Sequence, residues 1–215
     1  MYIIDVQYTQ ISKYLIGEIV SKRLAENQII QFNEISRITG ISRFKVNEVL
    51  CSLSKNEILK FIPNTGYFLK PLNLKTIQDT FKTLILLETK LIESIDFDDF
   101  DFESNLFFLN KLKKEEHIRQ YLDLNLTFHR SLRLKSTNTT IEFFLEQLYT
   151  KLFFIDVMVH IDLADLKAIL DRKFELLESL RNSKKHSAIY MLKLIWEDHL
   201  QCTTNAQRKL INTRV

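Results

Sequence analysis

A chain of 215 residues, 46% hydrophobic and 27% charged, has the balance of a folded globular protein, and its length suits one large domain or two modest ones. Two cysteines, Cys51 and Cys202, are too few and too scattered for a disulfide framework or a four-thiolate zinc site, so a reducing, cytoplasmic setting is expected. The opening MYIIDVQYTQ lacks a basic stretch followed by a long apolar core, and no uncharged apolar run of about 18 residues occurs; neither secretion nor membrane insertion is expected.

All three glycines (Gly17, Gly40, Gly66) and both prolines (Pro63, Pro71) lie in the first third of the chain. Their absence from residues 72–215 favours long helices joined by polar links, which places a domain boundary near Pro71: one domain over 1–71, a second over 72–215. Charge divides in the same way. The formal net charge is +3, yet residues 1–75 hold ten Lys/Arg against six Asp/Glu and the remainder is slightly acidic, so any polyanion is expected at the first domain.

Ile11, Leu15, Ile16, Ile19 and Val20 recur at helical spacing after Thr9, which reads as an N-cap, and predict a first amphipathic helix. Asn33 precedes a short helical segment, Glu34–Ile38, closed by Thr39-Gly40, the glycine suiting a helix C-terminal turn. Ser42 then stands as N-cap of a third helix in which Val46, Val49, Leu50 and Leu53 form an apolar stripe, with Arg43, Lys45, Asn47 and Glu48 off that stripe. A short helix, a glycine turn and a helix opening on Arg, Lys and Asn suits the DNA major groove, because Arg pairs bidentately with guanine and Asn with adenine. Two apolar runs, Ile58–Ile62 and Tyr67–Leu69, flank Pro63-Asn64-Thr65-Gly66 and predict a β-hairpin.

Helix, helix-turn-helix and hairpin in this order describe a winged helix-turn-helix. The expected fold class is mainly α, an N-terminal winged helix-turn-helix with a small β-hairpin wing followed by an all-α helical bundle. Candidate DNA-binding residues are Asn33, Ser42, Arg43, Phe44, Lys45 and Asn47, with Asn64, Thr65 and Gly66 at the wing tip. The other use of such a domain is protein contact.

The stretch from Glu34 to Leu50, then Leu53 and Pro63–Phe68, resembles the GntR superfamily of bacterial regulators, whose pattern is roughly "eLA..lgvSR.pVReAL..L" followed by "p..G.fV". Ser42, Arg43, Val46, Glu48, Leu50, Leu53, Gly66 and Phe68 match; Phe44 and Lys45 depart, as does Asn47, which stands where the family usually has arginine. Beyond the wing, Thr83–Ser94 with Glu88 resembles the family's linker helix, and Phe128-His129 with Asn138 resembles the "D..FH..l...sgN" signature of the FadR-type (FCD) helical domain. The resemblance implies a homodimeric transcription regulator acting on double-stranded operator DNA, with a small carboxylate effector in the bundle.

Many FadR-type members hold a divalent metal with one Asp and three His. Carried onto this sequence, those positions fall on Asn125, His129, Lys173 and Ile195, with His199 one turn beyond Ile195. Periodicity independently points Asn125, His129, Lys173 and His199 inward: Leu122, Asn125, Leu126, His129 and Leu132 share one face; Leu166, Ile169, Leu170, Lys173, Leu177 and Leu180 a second; Ala188, Leu192, Ile195 and His199 a third. These four are the candidate ligand-binding residues, and no metal or other cofactor is expected, since His129 and His199 without a carboxylate make a poor site. Lys173 can snorkel to water, meet an effector carboxylate as a substitute for the metal's charge, or face a space already filled by side chains such as Trp196 and Phe174. A protein-interaction or ligand-independent module with a degenerate effector site is therefore the alternative function.

Asp96–Glu103 interleaves acids and aromatics and reads as an inter-helix link whose phenylalanines dock on the bundle; a partner-binding motif is the other reading. His117, His160 and His186 fit surface or loop positions. With no glycine-rich phosphate loop and no Ser-His-Asp or Cys-His arrangement in context, an enzyme is not expected.

Overall fold

The computed structural model describes residues 6–94, 100–132 and 138–212. It divides into two compact units, Met1–Leu72 and Asn73–Val215.

The first unit opens with α1 (Val6–Val20), whose Ile11, Leu15, Ile16 and Ile19 are buried. Thr9 lies inside this helix and is not its N-cap, and Val20 is exposed. α2 (Phe32–Thr39) begins earlier than the sequence suggests, with Gln31 at its N-cap position and Asn33 already helical. It ends at Gly40, whose φ of 70° is left-handed and whose N–H donates to the Ser36 carbonyl. α3 (Arg43–Lys55) is capped as expected, the Ser42 hydroxyl accepting from the Lys45 N–H, and its stripe Val46, Val49, Leu50 and Leu53 is buried. The α2–Gly40–α3 pair is thus held by a left-handed turn on one side and a serine cap on the other.

β1 (Leu59–Ile62) and β2 (Gly66–Leu69) pair antiparallel, Leu59 opposite Leu69 and Ile62 opposite Gly66. Asn64 at the tip takes a left-handed φ of 62°. The sequence reading missed a further segment. Residues 26–30 lie along β2, where the Asn27 N–H donates to the Leu69 carbonyl and the Ile30 N–H to the Tyr67 carbonyl. At the base of the wing β2 is thus paired on both sides, with β1 on one and residues 26–30 on the other.

The second unit contains α4 (Leu74–Ser94), α5 (Phe102–Lys114), α6 (Ile118–Ser131), α7 (Thr139–Met158), α8 (Leu163–Lys167), α9 (Leu170–Arg181) and α10 (Lys185–Asn212). α10 packs on α4 and α9, α4 on α7, and α5 on α6 and α9. α4 starts well before the linker segment expected at Thr83. Asn138 caps α7 by accepting from the Ile141 N–H. The stripe from Leu166 to Leu180 is buried throughout, but a turn at Ala168-Ile169 splits it between α8 and α9. Of the acid–aromatic run, Asp96, Phe97, Asp98 and Asp99 lie outside the described residues. Its end forms the start of α5, where the Asp101 carboxylate accepts from the Ser104 N–H and the Phe102 ring lies 4.4 Å from the Arg181 guanidinium. No helix among the described residues is long and apolar enough to cross a membrane.

Candidate nucleic-acid interface and buried polar centre

In the first unit, packing of the α3 stripe turns Arg43, Phe44, Asn47 and Glu48 to solvent. Arg43 makes no ion pair among the described residues, whereas half-buried Lys45 pairs with Glu48 at 3.3 Å. The first turn of α3 contains no acid, so nothing offsets its positive dipole end. Asn47 has a partner the sequence did not reveal: its Oδ1 accepts from the Tyr67 hydroxyl at 3.2 Å. The residue that replaces the expected arginine thus ties the helix to the wing, leaving its amide NH₂ and a second lone pair on Oδ1. Exposed Phe61 packs at a tilt of 45° against Tyr67, its cross-strand partner, with ring centroids 4.9 Å apart. Asn64 and Thr65 are exposed at the wing tip. Gly66 has a φ of 130°, backbone that favours glycine, and a Cβ there would lie 3.6 Å from the Ile29 side chain. Ser42 serves as a cap, while Asn33 lies exposed on α2.

In the second unit all four polar residues assigned inward by periodicity are buried. Lys173 is only 3% exposed, so its ammonium does not snorkel to water. It donates instead to the Asn125 side-chain oxygen. Burial pushes the Lys173 ammonium down to about 7, against a smaller opposing pull from Glu88.

Glu88 is the hub of this centre. Its carboxylate accepts from the Trp196 Nε1–H at 2.7 Å and from the Tyr149 hydroxyl, and lies 3.2 Å from His129 Nδ1. Burial alone would raise its pKa, but the neighbouring His129 ring and the donated hydrogen bonds hold it below the ordinary carboxylate value. Burial pushes the His129 imidazole down, with Glu88 opposing. A proton on Nδ1 faces Glu88, and Nε2 has no hydrogen-bond partner among the described residues. His199 forms a second centre: its Nε2 lies 2.9 Å from Asp156 Oδ2, while the Thr203 hydroxyl donates to Asp156 Oδ1 at 3.0 Å.

Trp196 lies between the two histidines, 4.2 Å from His129 and 5.6 Å from His199 by ring centroids. It is fully buried there, while Phe174 is half-buried. The cavity beside Glu88 and His129, lined also by Leu91, Ile92 and Leu132, measures about 10 Å³, room for about one water.

The donor set does not suit the divalent metal that the FadR-type resemblance implies. The Asn125 oxygen is occupied by an ammonium, the His199 Nε2 by Asp156, and no group of three His, Cys, Asp or Glu among the described residues is placed to ligate. Sequence reasoning missed Asp156 and the hub role of Glu88. A signal existed for Asp156, the only acid within the apolar run Leu152–Val159.

Compared with known proteins, the chain matches no family model and no curated protein. Solved structures do match. A putative transcriptional regulator GntR from Rhodococcus sp. RHA1 aligns with a TM-score of 0.74 at 15% identity, over 93% of this chain and 98% of that one. McbR/YncC of E. coli aligns at 0.71 and 15% identity, over 94% and 99%. The fold is that of the GntR-type regulators. A GntR family member from Pseudomonas syringae pv. tomato matches this chain with a TM-score of 0.57 at 20% identity, over 98% of this chain and 90% of that one. Identities this low establish architecture; the chemistry of this GntR-type fold rests on its own residues.

Proposed function

We propose that the chain is a DNA-binding transcription regulator of the GntR type, a homodimer whose winged helices engage two operator half-sites. The observation that carries this reading is the opening of α3: a serine-capped helix end free of acids, presenting unpaired Arg43 beside Phe44 and Asn47, with the wing joined to it through Tyr67. Such a helix end suits the major groove, and a two-fold dimer suits paired half-sites one helical turn or a multiple of it apart. The test is binding of the full chain to its own upstream DNA across a salt series. A steep negative dependence of affinity on salt is expected, with Arg43→Ala weakening specific binding about tenfold or more. Unchanged affinity in Arg43→Ala would remove α3 as the reading element, and absence of DNA binding would favour the protein-contact use of the domain.

For the helical unit, closure of the polar centre favours a ligand-independent core over a resident small carboxylate. The Lys173 ammonium already has Asn125, Glu88 has its three donors, and the adjoining cavity holds about one water. A thermal-shift series with small mono- and dicarboxylates should leave the melting temperature unchanged. A saturable rise that disappears in Lys173→Met would restore the effector reading.

A further inference from the structure

Phe44 is 75% exposed, the most exposed large hydrophobic side chain among the described residues. It stands in the first turn of α3, directly after Arg43 and three residues before Asn47, so helical spacing puts Phe44 and Asn47 on one face. The rest of the helix's apolar side chains are buried on the opposite side, which leaves Phe44 without a role in the core of its unit. Around it stand Arg43 without an ion pair among the described residues, an Asn47 amide held in place by Tyr67 and, one turn on, Glu48 paired with Lys45, while the first turn itself holds no acid. In the major groove the one apolar group that a base pair displays is the thymine methyl, which an aromatic side chain can cover.

We propose that Phe44 is a specificity-determining residue that reads a thymine methyl, in an A·T pair next to the guanine contacted by Arg43. The inference rests on the proposed DNA-binding function and adds the base that the side chain recognises. Asn47 on the same face supplies an amide for the adenine edge, so one A·T pair offers a partner to each side chain. Covering the methyl removes apolar surface of both partners from water, which gives Phe44 a sequence preference without a hydrogen bond.

The experiment selects duplexes from a random-sequence library with the full-length protein, then replaces each selected thymine in turn by deoxyuridine, which differs only by lacking the methyl. Deoxyuridine at the sensitive position of a single half-site is expected to weaken binding about fourfold, and at that position of both half-sites about fifteenfold. Phe44→Ala should bind the thymine and deoxyuridine duplexes equally while keeping the guanine preference set by Arg43. Phe44 is exposed and alanine favours helix, so this variant should fold. If wild type shows no deoxyuridine effect at any position, or if Phe44→Ala keeps the thymine preference, the proposal is overturned and the DNA-binding reading stands. If Phe44→Ala instead lowers self-association with no change in selected sequence, the side chain belongs to a contact between copies of the chain, and the proposal is likewise overturned. Failure of wild type to select any sequence would overturn both the proposal and the function beneath it.

Discussion

Lys173 is the residue whose setting departs furthest from its chemistry in water. Its ammonium is buried, bonded to a neutral amide and drawn down to about 7 from its usual 10.5. A lysine depressed in the folded state binds fewer protons there than in the unfolded chain, so its burial destabilises the fold most below pH 7 and progressively less as pH rises toward 10.5. Between pH 7 and 9 stability should therefore rise, with a slope of up to about 1.4 kcal/mol per pH unit from this group. Above pH 9 the half-buried Cys202 thiol, raised to about 11 chiefly by desolvation, works in the opposite direction. Urea titrations of wild type and Lys173→Met over pH 7–9 test this. The methionine variant should show a flatter profile and, at pH 7, stability equal to or above wild type, as apolar replacement of a buried charge often gives. An unchanged slope would mean that Lys173 does not titrate in this range. The inward position of Lys173 was legible from its place on the Leu166–Leu180 stripe, as were those of Asn125, His129 and His199 on theirs. The hub was not: Glu88 sits in a helix rich in surface charge, and only three-dimensional packing brings Trp196, Tyr149 and His129 onto its carboxylate from two other helices and from α6.

At the scale of elements, legibility followed how local the determining interaction is. Ser42 as a cap, Gly40 as a left-handed stop and the stripe of α3 each depend on residues within a few positions, and all three could be read directly. The segment 26–30 along β2 could not, because its pairing joins residues some 40 positions apart and involves too few residues to show an alternating pattern. The break between α8 and α9 was hidden for a related reason: Ala168-Ile169 contains neither glycine nor proline, and Leu166 and Leu170 stay buried on either side of the turn, so the helical period survives. Gly40 provides a quantitative test of local control. No heavy atom beyond its chain neighbours lies within 4 Å of where its Cβ would be, so Gly40→Ala introduces backbone strain at a φ of 70° without a clash. The cost should be about 1–2 kcal/mol, visible as a lower urea midpoint with an unchanged m-value. Gly40→Asn should cost less, since asparagine tolerates the left-handed region better than alanine. Equal losses in the two variants would indicate that something other than φ governs this turn.

For the whole molecule, the division at Leu72/Asn73 separates two compact units of unequal charge that can be assayed apart. The first unit has its own buried core, drawn from α1, α2, α3 and the hairpin, and it carries the proposed DNA-contacting residues. A fragment of residues 1–72 should therefore fold, with the modest stability expected of a domain this small. It should bind operator DNA with the same guanine and thymine preferences as the full chain, because the proposed reading assigns them to Arg43 and Phe44. Its affinity should be lower. In the proposed dimer, occupancy of one half-site raises the effective concentration of the second winged helix at the other, a gain on the order of 10²–10⁴ in overall affinity. The fragment should also lose roughly half the salt dependence, since each molecule then neutralises the phosphates of one half-site alone. Fluorescence anisotropy with one-half-site and two-half-site duplexes distinguishes the cases: full-length protein should gain strongly from the second half-site, while the fragment gains only the statistical factor of about two expected for independent sites. Equal gains for both would assign cooperativity to the winged helices themselves, and the helical unit would then need another role.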